Sequence, residues 1–583
     1  MRKTAIAPIT IMIVLSVFSC FYSISLVRGQ HIEMSGVFRY DLDGKWRCGL
    51  NVTIVNDYGE PVLLHWISLE VAGIFYLDGT YELLDYLLND TSINIVILNE
   101  SNATFSYNLT EAGFDKEPKS MTVWCIVSTD RYSLVDAQNI VSENNYPVHN
   151  FNTSLNYQSI QEAIDANETL NGHMIGVEAG TYYEHVMVNK PLTFIGEERE
   201  TTIIDGNSTG NVIEITANSV NVRGFTIQKS GTSHQSCGFY ISELSTGNTI
   251  SCNLITNNFH GILPNGSSNN IISGNKITNN DQGIYLSESS NNNITSNHIT
   301  NNVEGVYLVN SSSNTVSGNN ITNNGDGVYL YSSSNNTVSR NDITNNDDGV
   351  ILDNSLNNNI SSNRVTNNTF GIGLSWGSNY NIISDNNITK ETLPKAYGIL
   401  VFQSSYNNIL GNKLANNMDG IRIYYTKNNS ISGNTIVNND YGIRLRYETS
   451  NNTIYYNNFV NNTQQVIDET SWEYSNIWDD NCGGNYWSNY AGVDSDGDGI
   501  GDAPHSIDGS NTDDFPLMNP YWNPADINHD LKVDIFDVVS ACVAYSSTPS
   551  DINWNCHCDV AEPNGVIDIF DIVMICSSYG EEY

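Results

Sequence analysis

Residues 305–326 read GVYLVNSSSNTVSGNNITNNGD, and similar units of 22 residues precede and follow them. A glycine opens each unit, and after one five-residue insertion the same spacing resumes. These glycines are Gly261, Gly283, Gly305, Gly327, Gly349, Gly371, Gly398, Gly420 and Gly442. Each unit contains three short strand-like segments, so one unit predicts one coil on which the next can stack. The sequence therefore predicts a parallel β-helix.

Stacking in register places each residue over its copy 22 positions away, so an inward polar side chain must be satisfied by its own copies. An asparagine amide both donates and accepts hydrogen bonds and can continue such a column. Two asparagine columns are predicted: Asn275, Asn297, Asn319, Asn341 and Asn363, and Asn280, Asn302, Asn324, Asn346 and Asn368. Two apolar columns are expected to form the dry core: Ile284, Val306, Val328 and Val350, and Leu286, Leu308, Leu330 and Leu352.

The repeat occupies the middle of the chain, and the flanking composition predicts five segments. They are a signal peptide or retained anchor (1–29), a β-sandwich (30–145), the β-helix (150–470), an aromatic cap with an acidic calcium-binding segment (471–522), and a small helical module (523–583). Helical periodicity in residues 157–166 predicts a plug for the first coil. The aromatic residues expected to cover the last coil are Trp472, Trp478, Tyr486, Trp487 and Tyr490.

The formal net charge is −40, which makes nucleic acid and anionic membranes poor partners and favours divalent cations. Arg2 and Lys3 precede an uncharged run at residues 5–27, a pattern typical of an export signal. We therefore expect an extracellular or cell-surface location. The run is also long enough to remain as an anchor, and membrane attachment is expected only in that case.

Nine cysteines follow Cys20, and an exported chain is expected to oxidise most of them. Cys48 and Cys125 form a plausible bridge within the first domain. Four further disulfide candidates lie in the last sixty residues: Cys542, Cys556, Cys558 and Cys576. Metal binding by the Cys-His-Cys at 556–558 is the alternative, but no partner ligands stand at zinc spacing.

Acidic residues alternate in the segment that follows the coils. Asp494, Asp496, Asp498 and Asp502 surround Gly499, which allows a sharp turn. A short loop with oxygen ligands at alternate positions is typical of calcium sites. We therefore predict Ca²⁺ as a cofactor.

Three stretches together carry a family resemblance: SIQEAIDA (159–166), AGTYYEHVMVNKPLTFIGE (179–197) and GGNYWSNYAGVDSDGDGIGDAPHSIDG (483–509). With the coils, they resemble the NosD-type parallel β-helix repeat proteins over roughly residues 150–520. The resemblance implies a mainly β, right-handed, pectin-lyase-like fold and a carbohydrate-binding or sugar-hydrolysis repeat. The copper role of the namesake is not expected, because His260 and His298 have no matched partners for a soft metal.

The last sixty residues contain an internal repeat, because VDIFD at 533–537 is echoed by IDIFD at 567–571. Each copy precedes an apolar helix-like run, and the pair resembles a dockerin module with two EF-hand-like calcium loops. The resemblance implies ligands Asp526, Asn528, Asp530, Lys532 through its carbonyl, Asp534 and Asp537 in the first loop, and Asp559, Glu562, Asn564, Asp568 and Asp571 in the second. Leu531 replaces the usual glycine, which predicts a strained turn. A cohesin-like protein is the implied partner.

One outer strand column is a candidate glycan-binding surface. Tyr285, Tyr307 and Tyr329 recur at coil spacing, and aromatic rings can stack on sugars. A β-favouring tyrosine ladder is the alternative. The carboxylates of Glu304, Asp326 and Asp348 recur beside them, at what we expect to be an exposed corner, where a cation or sugar hydroxyl could bind.

A further cluster is a candidate for catalysis or for binding an anionic glycan: Asp419, Asp440, Arg422 and Arg444. The Gly-His-Gly motif of pectin-degrading hydrolases is missing from the coils. The leading hypothesis is a glycan-binding β-helix with a calcium-dependent docking tail and no required catalysis. The alternatives are a glycoside hydrolase or polysaccharide lyase, and a structural surface spacer.

Overall fold

The computed structural model describes residues 146–389, 396–470, 474–507, 511–561 and 565–583, and the backbone of strands between residues 30 and 141. The predicted signal peptide or anchor lies outside these residues. The chain divides into two compact units, 1–146 with 154–156 and 147–153 with 157–583. Within the described part, no helix is long and apolar enough to cross a bilayer.

The first unit contains two antiparallel sheets, of three and five strands. The three-stranded sheet consists of Gln30–Tyr40, Trp46–Asn56 and Ser101–Asn108. The five-stranded sheet consists of Val62–Tyr76, Tyr81–Asp90, Ile95–Ile97, Pro118–Thr129 and Ser133–Val141. Cys48 and Cys125 lie on strands of different sheets, and their side chains are outside the described atoms. Both the sandwich packing and this disulfide remain predictions.

Three long sheets of 15, 14 and 13 strands follow along the chain, and successive coils add one strand to each. Sheet 1 consists of Leu155–Tyr157, Val148–Asn150, Met174–Val177, Thr193–Gly196, Asn221–Arg223, Thr249–Ser251, Ile271–Ser273, Asn293–Thr295, Thr315–Ser317, Thr337–Ser339, Asn359–Ser361, Ile382–Ser384, Asn408–Leu410, Ser430–Ser432 and Thr453–Tyr455. Sheet 2 consists of Gly180–Tyr182, Thr202–Asp205, Thr226–Gln228, Leu254–Thr256, Lys276–Thr278, His298–Thr300, Asn320–Thr322, Asp342–Thr344, Arg364–Thr366, Asn387–Thr389, Lys413–Ala415, Thr435–Val437, Asn458–Val460 and Tyr486–Trp487. Sheet 3 consists of Val186–Val188, Ile213–Ile215, Cys237–Ile241, His260–Pro264, Gln282–Ser287, Glu304–Val309, Asp326–Tyr331, Asp348–Asp353, Phe370–Ser375, Tyr397–Phe402, Asp419–Tyr424, Tyr441–Arg446 and Gln464–Glu469.

The predicted inward columns are confirmed. Val306 pairs with Ile284 below and Val328 above, and all three are fully buried. In the first asparagine column, the Asn297 side-chain Nδ2 donates to Asn319 Oδ1 at 3.0 Å and its backbone N–H donates to the same oxygen at 2.9 Å. Asn319 repeats the pattern toward Asn341 at 3.0 Å. Each amide therefore satisfies the coil beneath it, so the columns hold the register of the stack.

Two further columns of polar side chains lie in the turn between sheets 3 and 1. They were not predicted from the sequence because of this position. One is a buried asparagine column that includes Asn270, Asn292, Asn314, Asn336 and Asn358. The other is a buried serine column that includes Ser267, Ser289, Ser311, Ser333 and Ser355. Asparagine and serine in a turn are typical of a solvent-exposed loop. Here their side chains face inward and hydrogen-bond to those of the neighbouring coils.

The repeating glycines are required by close packing. A Cβ on Gly349 would lie 2.3 Å from the carbonyl oxygen of Gly371, and one on Gly371 would lie 2.4 Å from that of Gly398. A side chain there would push successive coils apart. The glycine spacing therefore marks where neighbouring backbones touch.

Both ends of the stack are covered. Helix α1 (Ile160–Asp165) begins at the N-cap Ser159, whose side chain accepts from the Glu162 N–H, and it buries Ile160 and Ile164 against the first coils. At the other end the Trp487 ring stacks on Phe459 at 4.3 Å, and Trp487 Nε1 donates to Asp513 at 2.7 Å. Trp472 lies outside the described residues. A two-stranded ribbon, His505–Ser506 with Thr512–Asp513, completes this cap.

The tail contains helix α2 (Ile535–Ala544), a 3₁₀ turn (Cys556–Cys558) and helix α3 (Ile569–Ser577). Each helix starts at an aspartate, Asp534 or Asp568, in a capping box completed three residues later. A small core that includes Val533, Ala541, Ile567 and Ile575 lies between them. The two VDIFD-like motifs thus form equivalent helix starts.

The tail is covalently linked to the cap, because Cys556 forms a disulfide with Cys482. Of the four disulfide candidates in the tail, Cys556 is therefore bonded, and its partner lies in the cap rather than in the tail. Cys542 and Cys576 are exposed on the helices, Cys558 is buried in the tail core, and all three are free. Next to the disulfide, the Tyr456 hydroxyl lies 3.3 Å from His557 Nδ1, which packs the tail onto the last coils.

Candidate functional site

The outer face of sheet 3 brings the predicted tyrosines together. Tyr285, Tyr307 and Tyr329 occupy equivalent strand positions, and their rings stack with centroids 5.3 and 5.1 Å apart. They point outward because they lie between two inward residues of each strand, such as Val306 and Leu308. The three rings form a continuous aromatic strip parallel to the coil axis.

The predicted carboxylates form a second column beside the tyrosines. Glu304 pairs with Asp326 and Asp326 with Asp348 in the strand register, and Gln282 Nε2 donates to Glu304 Oε2 at 2.6 Å. They begin strands of sheet 3 and are half-buried, which corrects the expectation of an exposed corner. Burial raises the pKa of all three carboxyls, and repulsion from Asp326 and Asp347 helps to bring that of Asp348 to about 7.

Three of the four candidate catalytic residues meet further along the same face. Asp419 is fully buried, with its Oδ2 3.3 Å from Arg422 Nη1 and its Oδ1 3.8 Å from Arg444 Nε. Burial raises the pKa of Asp419, and the two guanidinium groups oppose that rise. The Arg422 and Arg444 guanidiniums lie 4.5 and 3.8 Å from the rings of Tyr397 and Tyr441, respectively.

Asp440 does not join this cluster, because the register places Tyr441 over Asp419. Asp440 lies one position earlier, in an exposed turn. Asp440 and Tyr441 are neighbours in the sequence, but one lies in a turn and the other at an outward strand position. The sequence pattern alone does not show which of the two belongs to the strand. Tyr397 and Tyr441 were missed because the carboxylate column gives way to aromatic residues in the later coils.

The acidic loop after the coils folds around Asp494. Its carboxylate accepts from the N–H groups of Gly497 at 2.7 Å and Gly499 at 3.0 Å. Asp494, Asp496 and Asp502 each place one oxygen within 4.8 Å of the others. Asp498 instead accepts from the Ile500 N–H at 2.9 Å. Three of the four predicted ligands therefore converge in an arrangement that fits a hard divalent cation.

The first tail loop is organised by two buried carboxylates. Asp526 Oδ2 accepts from the Leu531 N–H at 2.9 Å, and Asp537 accepts from the N–H groups of Ile527 and Asp534, both at 2.7 Å. Burial raises the pKa of Asp526 to about 6, with Asp537 adding to the effect. Leu531 has φ of +74°, so the residue that replaces glycine does adopt the left-handed conformation.

The remaining predicted ligands of this loop lie around it. Asp530 Oδ1 accepts from the Lys532 N–H at 3.1 Å, and Asn528 Nδ2 donates to Asp530 Oδ2 at 3.2 Å. Asp534 Oδ1 accepts from the Phe536 N–H at 2.7 Å as the helix cap. Donors from the backbone and from Asn528 therefore engage these oxygens and close the loop.

The second tail loop repeats the same contacts. Asp571 accepts from the N–H groups of Val560 at 2.8 Å and Asp568 at 2.7 Å, as Asp537 does in the first loop. Asp559 accepts from the Gly565 N–H at 2.8 Å, and Gly565 has φ of +77° at the position equivalent to Leu531. Glu562 and Asn564 lie outside the described residues.

Family comparisons agree with this architecture. Residues 325–492 match the family model described as "Periplasmic copper-binding protein (NosD)", and residues 211–355 match "Right handed beta helix region". The prediction of NosD-type, right-handed parallel β-helix repeats is confirmed. The dockerin-like identity of the tail remains a prediction.

A protein of Methanothermus fervidus described as a cell surface glycoprotein is 39% identical over 113 residues, which is 19% of this chain and 18% of that protein. Among solved structures, a Yersinia enterocolitica family 28 exopolygalacturonase is 10% identical, with 77% of this chain and 99% of that chain aligned at a TM-score of 0.41. An Azotobacter vinelandii mannuronan C-5 epimerase A-module is 15% identical, with 55% and 92% aligned at a TM-score of 0.36. These structural similarities concern the fold only.

Proposed function

Given coils built from NosD-type β-helix repeats, we propose that this chain is a cell-surface protein that binds a glycan along the outer face of sheet 3. The observation that carries the proposal is the stacked strip of Tyr285, Tyr307 and Tyr329 beside a parallel column of carboxylates. Aromatic rings stack on the apolar faces of sugars, and carboxylates accept hydrogen bonds from sugar hydroxyls. A polymer lying along the coil axis would meet both columns repeatedly.

A panel of neutral and acidic polysaccharides tests the proposal. We expect the full chain to bind at least one polymer, and Tyr307→Ala to weaken that binding by about tenfold, the loss of one aromatic contact. The matched control is Tyr183→Ala, which removes an exposed tyrosine near the start of the coil stack. No binding by the unaltered chain, which a structural surface spacer would show, contradicts the proposal. So does equal binding by Tyr307→Ala.

One observation favours a second function, a polysaccharide-degrading enzyme. Burial, with repulsion from Asp326 and Asp347, raises the pKa of Asp348 to about 7, and Asp326 pairs with Asp348 in the strand register. Glycoside hydrolysis needs such a pair for acid and base or nucleophile roles. Incubation of the full chain with polysaccharides tests this function. New reducing ends that the Asp348→Asn variant does not produce would support a hydrolase, and unsaturated uronates would support a lyase. Retention without cleavage supports the binder.

We further propose that calcium holds the acidic loop and the two tail loops. Supporting this, Asp526 and Asp537 are buried carboxylates within one loop, and no lysine or arginine in the described part of the tail forms an ion pair with either. A divalent cation would neutralise this charge with the oxygen ligands that it prefers.

Limited proteolysis in a chelator tests the calcium proposal. We expect chelation to expose residues 523–583 to cleavage while the coils stay intact, and added Ca²⁺ to restore resistance. The Cys482–Cys556 disulfide retains some cleaved fragments, so they should separate only on reducing gels. Tail resistance unchanged by the chelator contradicts calcium binding there.

The tail is also proposed to dock onto a cohesin-like protein. Phe536 and Phe570 occupy equivalent positions in the two motifs and expose 65% and 69% of their surface. Val539 and Val573 extend the same exposed apolar strips by one helical turn. We expect the intact chain to bind purified cohesin domains and the Phe536→Ser/Phe570→Ser variant to lose that binding. Equal binding by that variant would contradict docking through these strips.

A further inference from the structure

Exposed and half-buried aromatic rings cluster at one corner of the later coils, where sheet 3 turns into sheet 1. This aromatic corner comprises Trp376, Phe402, Tyr424, Tyr425 and Tyr447. Successive centroids lie 5.0 Å apart for Trp376 and Phe402, 4.9 Å for Phe402 and Tyr424, and 4.8 Å for Tyr425 and Tyr447. Trp376 exposes 59% of its surface and Tyr447 51%. The rings form a ridge across neighbouring coils.

Folding does not explain the choice of aromatic residues at this corner. The turn position needs a left-handed backbone, with φ of +49° at Asn310 and +50° at Asn354, where asparagine tolerates it well. At the equivalent position Trp376, Tyr425 and Tyr447 have φ of +51°, +57° and +56°. Bulky side chains are disfavoured there. The turn geometry therefore does not select these aromatic residues, which favours a role for them in binding.

Arginines border the aromatic corner, although the whole chain has a net charge of −40. The Arg422 guanidinium lies 5.7 Å from the Tyr424 ring, and that of Arg446 lies 5.8 Å from the Tyr447 ring. With Arg444, these three cations face two carboxylates, Asp419 and Glu469. Three guanidinium groups are therefore concentrated beside the aromatic corner.

Arg444 retains unused hydrogen-bonding capacity. Its side chain is 9% exposed, and its Nε has no hydrogen-bond partner among the described residues. The nearest carboxylate oxygen, Asp419 Oδ1, lies 3.8 Å away, beyond hydrogen-bond distance. The Arg444 guanidinium is held against the Tyr441 ring, and its planar set of donors is of the kind that suits an anionic ligand.

We propose that the aromatic corner and the arginines Arg422, Arg444 and Arg446 bind an acidic glycan, a polymer bearing carboxylate or sulfate groups. The inference rests on the proposed glycan-binding function and names its ligand class. Sugar faces stack on the exposed rings while the guanidinium groups pair with the anionic substituents. The site lies on the same coil edge as sheet 3, so one polymer can continue from the tyrosine strip to the corner.

The test compares two polymer pairs that differ only in charge: dextran sulfate against dextran, and polygalacturonate against its methyl ester. We expect the full chain to prefer the charged member of at least one pair, and the preference to weaken in high salt. The pair that shows the preference identifies sulfate or carboxylate as the recognised group. Equal affinity for the charged and uncharged members of both pairs overturns the inference.

Tyr425→Asn/Tyr447→Asn removes two rings while supplying the residue that the turn favours. We expect a thermal midpoint no lower than that of the unaltered chain, and binding of the charged polymer weakened by at least about tenfold. Arg446→Gln should also weaken it by about tenfold, the scale of one charge-assisted contact. Controls are Tyr183→Ala and Arg364→Gln, which removes an exposed arginine paired with Asp342 on sheet 2.

The outcomes separate this inference from the proposed function. Unchanged binding by both corner variants, with loss in Tyr307→Ala, overturns the corner site and leaves glycan binding on sheet 3 standing. No binding of any polymer by the unaltered chain overturns both. A dimer that the double asparagine variant converts to monomer, without glycan binding, would assign the corner to self-association and overturn the inference. If the Tyr425→Asn/Tyr447→Asn variant unfolds, the binding of the charged polymer by Arg446→Gln alone tests the corner site.

Discussion

The coils around Tyr307 and those around Tyr425 share their inward-facing columns but differ on the outside. Inside, both stack buried asparagines and aliphatic residues in the same register. Outside, the earlier coils present tyrosines and half-buried carboxylates, whereas the later coils present arginines and an aromatic corner. The inward columns therefore fix the fold, and the outward positions are free to acquire binding chemistry. Removing inward groups should cost stability, and changing outward groups should alter binding or pH response.

The sharpest contrast between inside and outside lies in two adjacent asparagines. Asn319→Ala removes the oxygen that accepts from Asn297 and the amide that donates to Ile294 O at 2.9 Å. Several buried groups lose their partners, so we expect the free energy of unfolding to fall by about 3 kcal/mol. Asn320→Ala alters an exposed neighbour and should change it by less than about 0.5 kcal/mol. Chemical denaturation of both variants measures the two free energies of unfolding. Equal losses in Asn319→Ala and Asn320→Ala would contradict a stabilising role for the inward asparagine column.

Two glycines of one strand provide a smaller contrast. A Cβ at Gly371 would meet the backbone oxygen of Gly398 at 2.4 Å, whereas one at Gly373 would meet only the end of the Ile351 side chain, at 2.8 Å. We expect Gly371→Ala to cost about 2 kcal/mol through overpacking between coils, and Gly373→Ala to cost much less. Thermal unfolding of the two variants measures the difference. If Gly371→Ala is neutral, the glycine column does not set the coil spacing.

The smallest expected effect concerns the pH response of the earlier coils. Because the folded pKa of Asp348 is raised to about 7, the folded state binds its proton more tightly than the unfolded state does. This contribution to stability is complete below about pH 4, the unfolded pKa, and is lost as the pH rises through 7.

Asp348→Asn removes this titration, so it should raise the thermal midpoint at pH 8 by about 2 °C and flatten the change between pH 5 and 8. Asp342→Asn, at an exposed carboxylate paired with Arg364 on sheet 2, is the control. A midpoint for Asp348→Asn that falls at pH 8 would show that the ionised carboxylate stabilises the coils.

Much of the fold could be predicted because the same contact repeats at each coil. The spacing of Gly305 and Gly327 reports the coil length, and the recurrence of Asn297 and Asn319 reports an inward amide. The partner of Cys556 could not be predicted, because Cys482 lies outside the tail in the non-repeating cap. The absence of Asp440 from the Asp419 cluster could not be predicted either, because it depends on a one-residue register.

The candidate site was only partly predictable for a related reason. Outward residues need not repeat, so Tyr285, Tyr307 and Tyr329 were found by their spacing, whereas Trp376 and Tyr447 were not. Their significance comes from a left-handed backbone, which the sequence indicates only where asparagine or glycine occupies the turn. The half-burial of Asp348 likewise depends on neighbouring strands rather than on its own segment.

Hydroxyl-radical footprinting of the full chain tests the central claim most directly, because it reads the exposure of aromatic side chains. With a saturating bound polysaccharide, we predict reduced labelling of Tyr307, Trp376 and Tyr447 on and beside sheet 3. Labelling of Tyr183 and Tyr579, exposed elsewhere, should not change. Protection confined to other parts of the chain, or unchanged labelling of the three residues while the polymer is bound, would contradict a glycan-binding face on these coils.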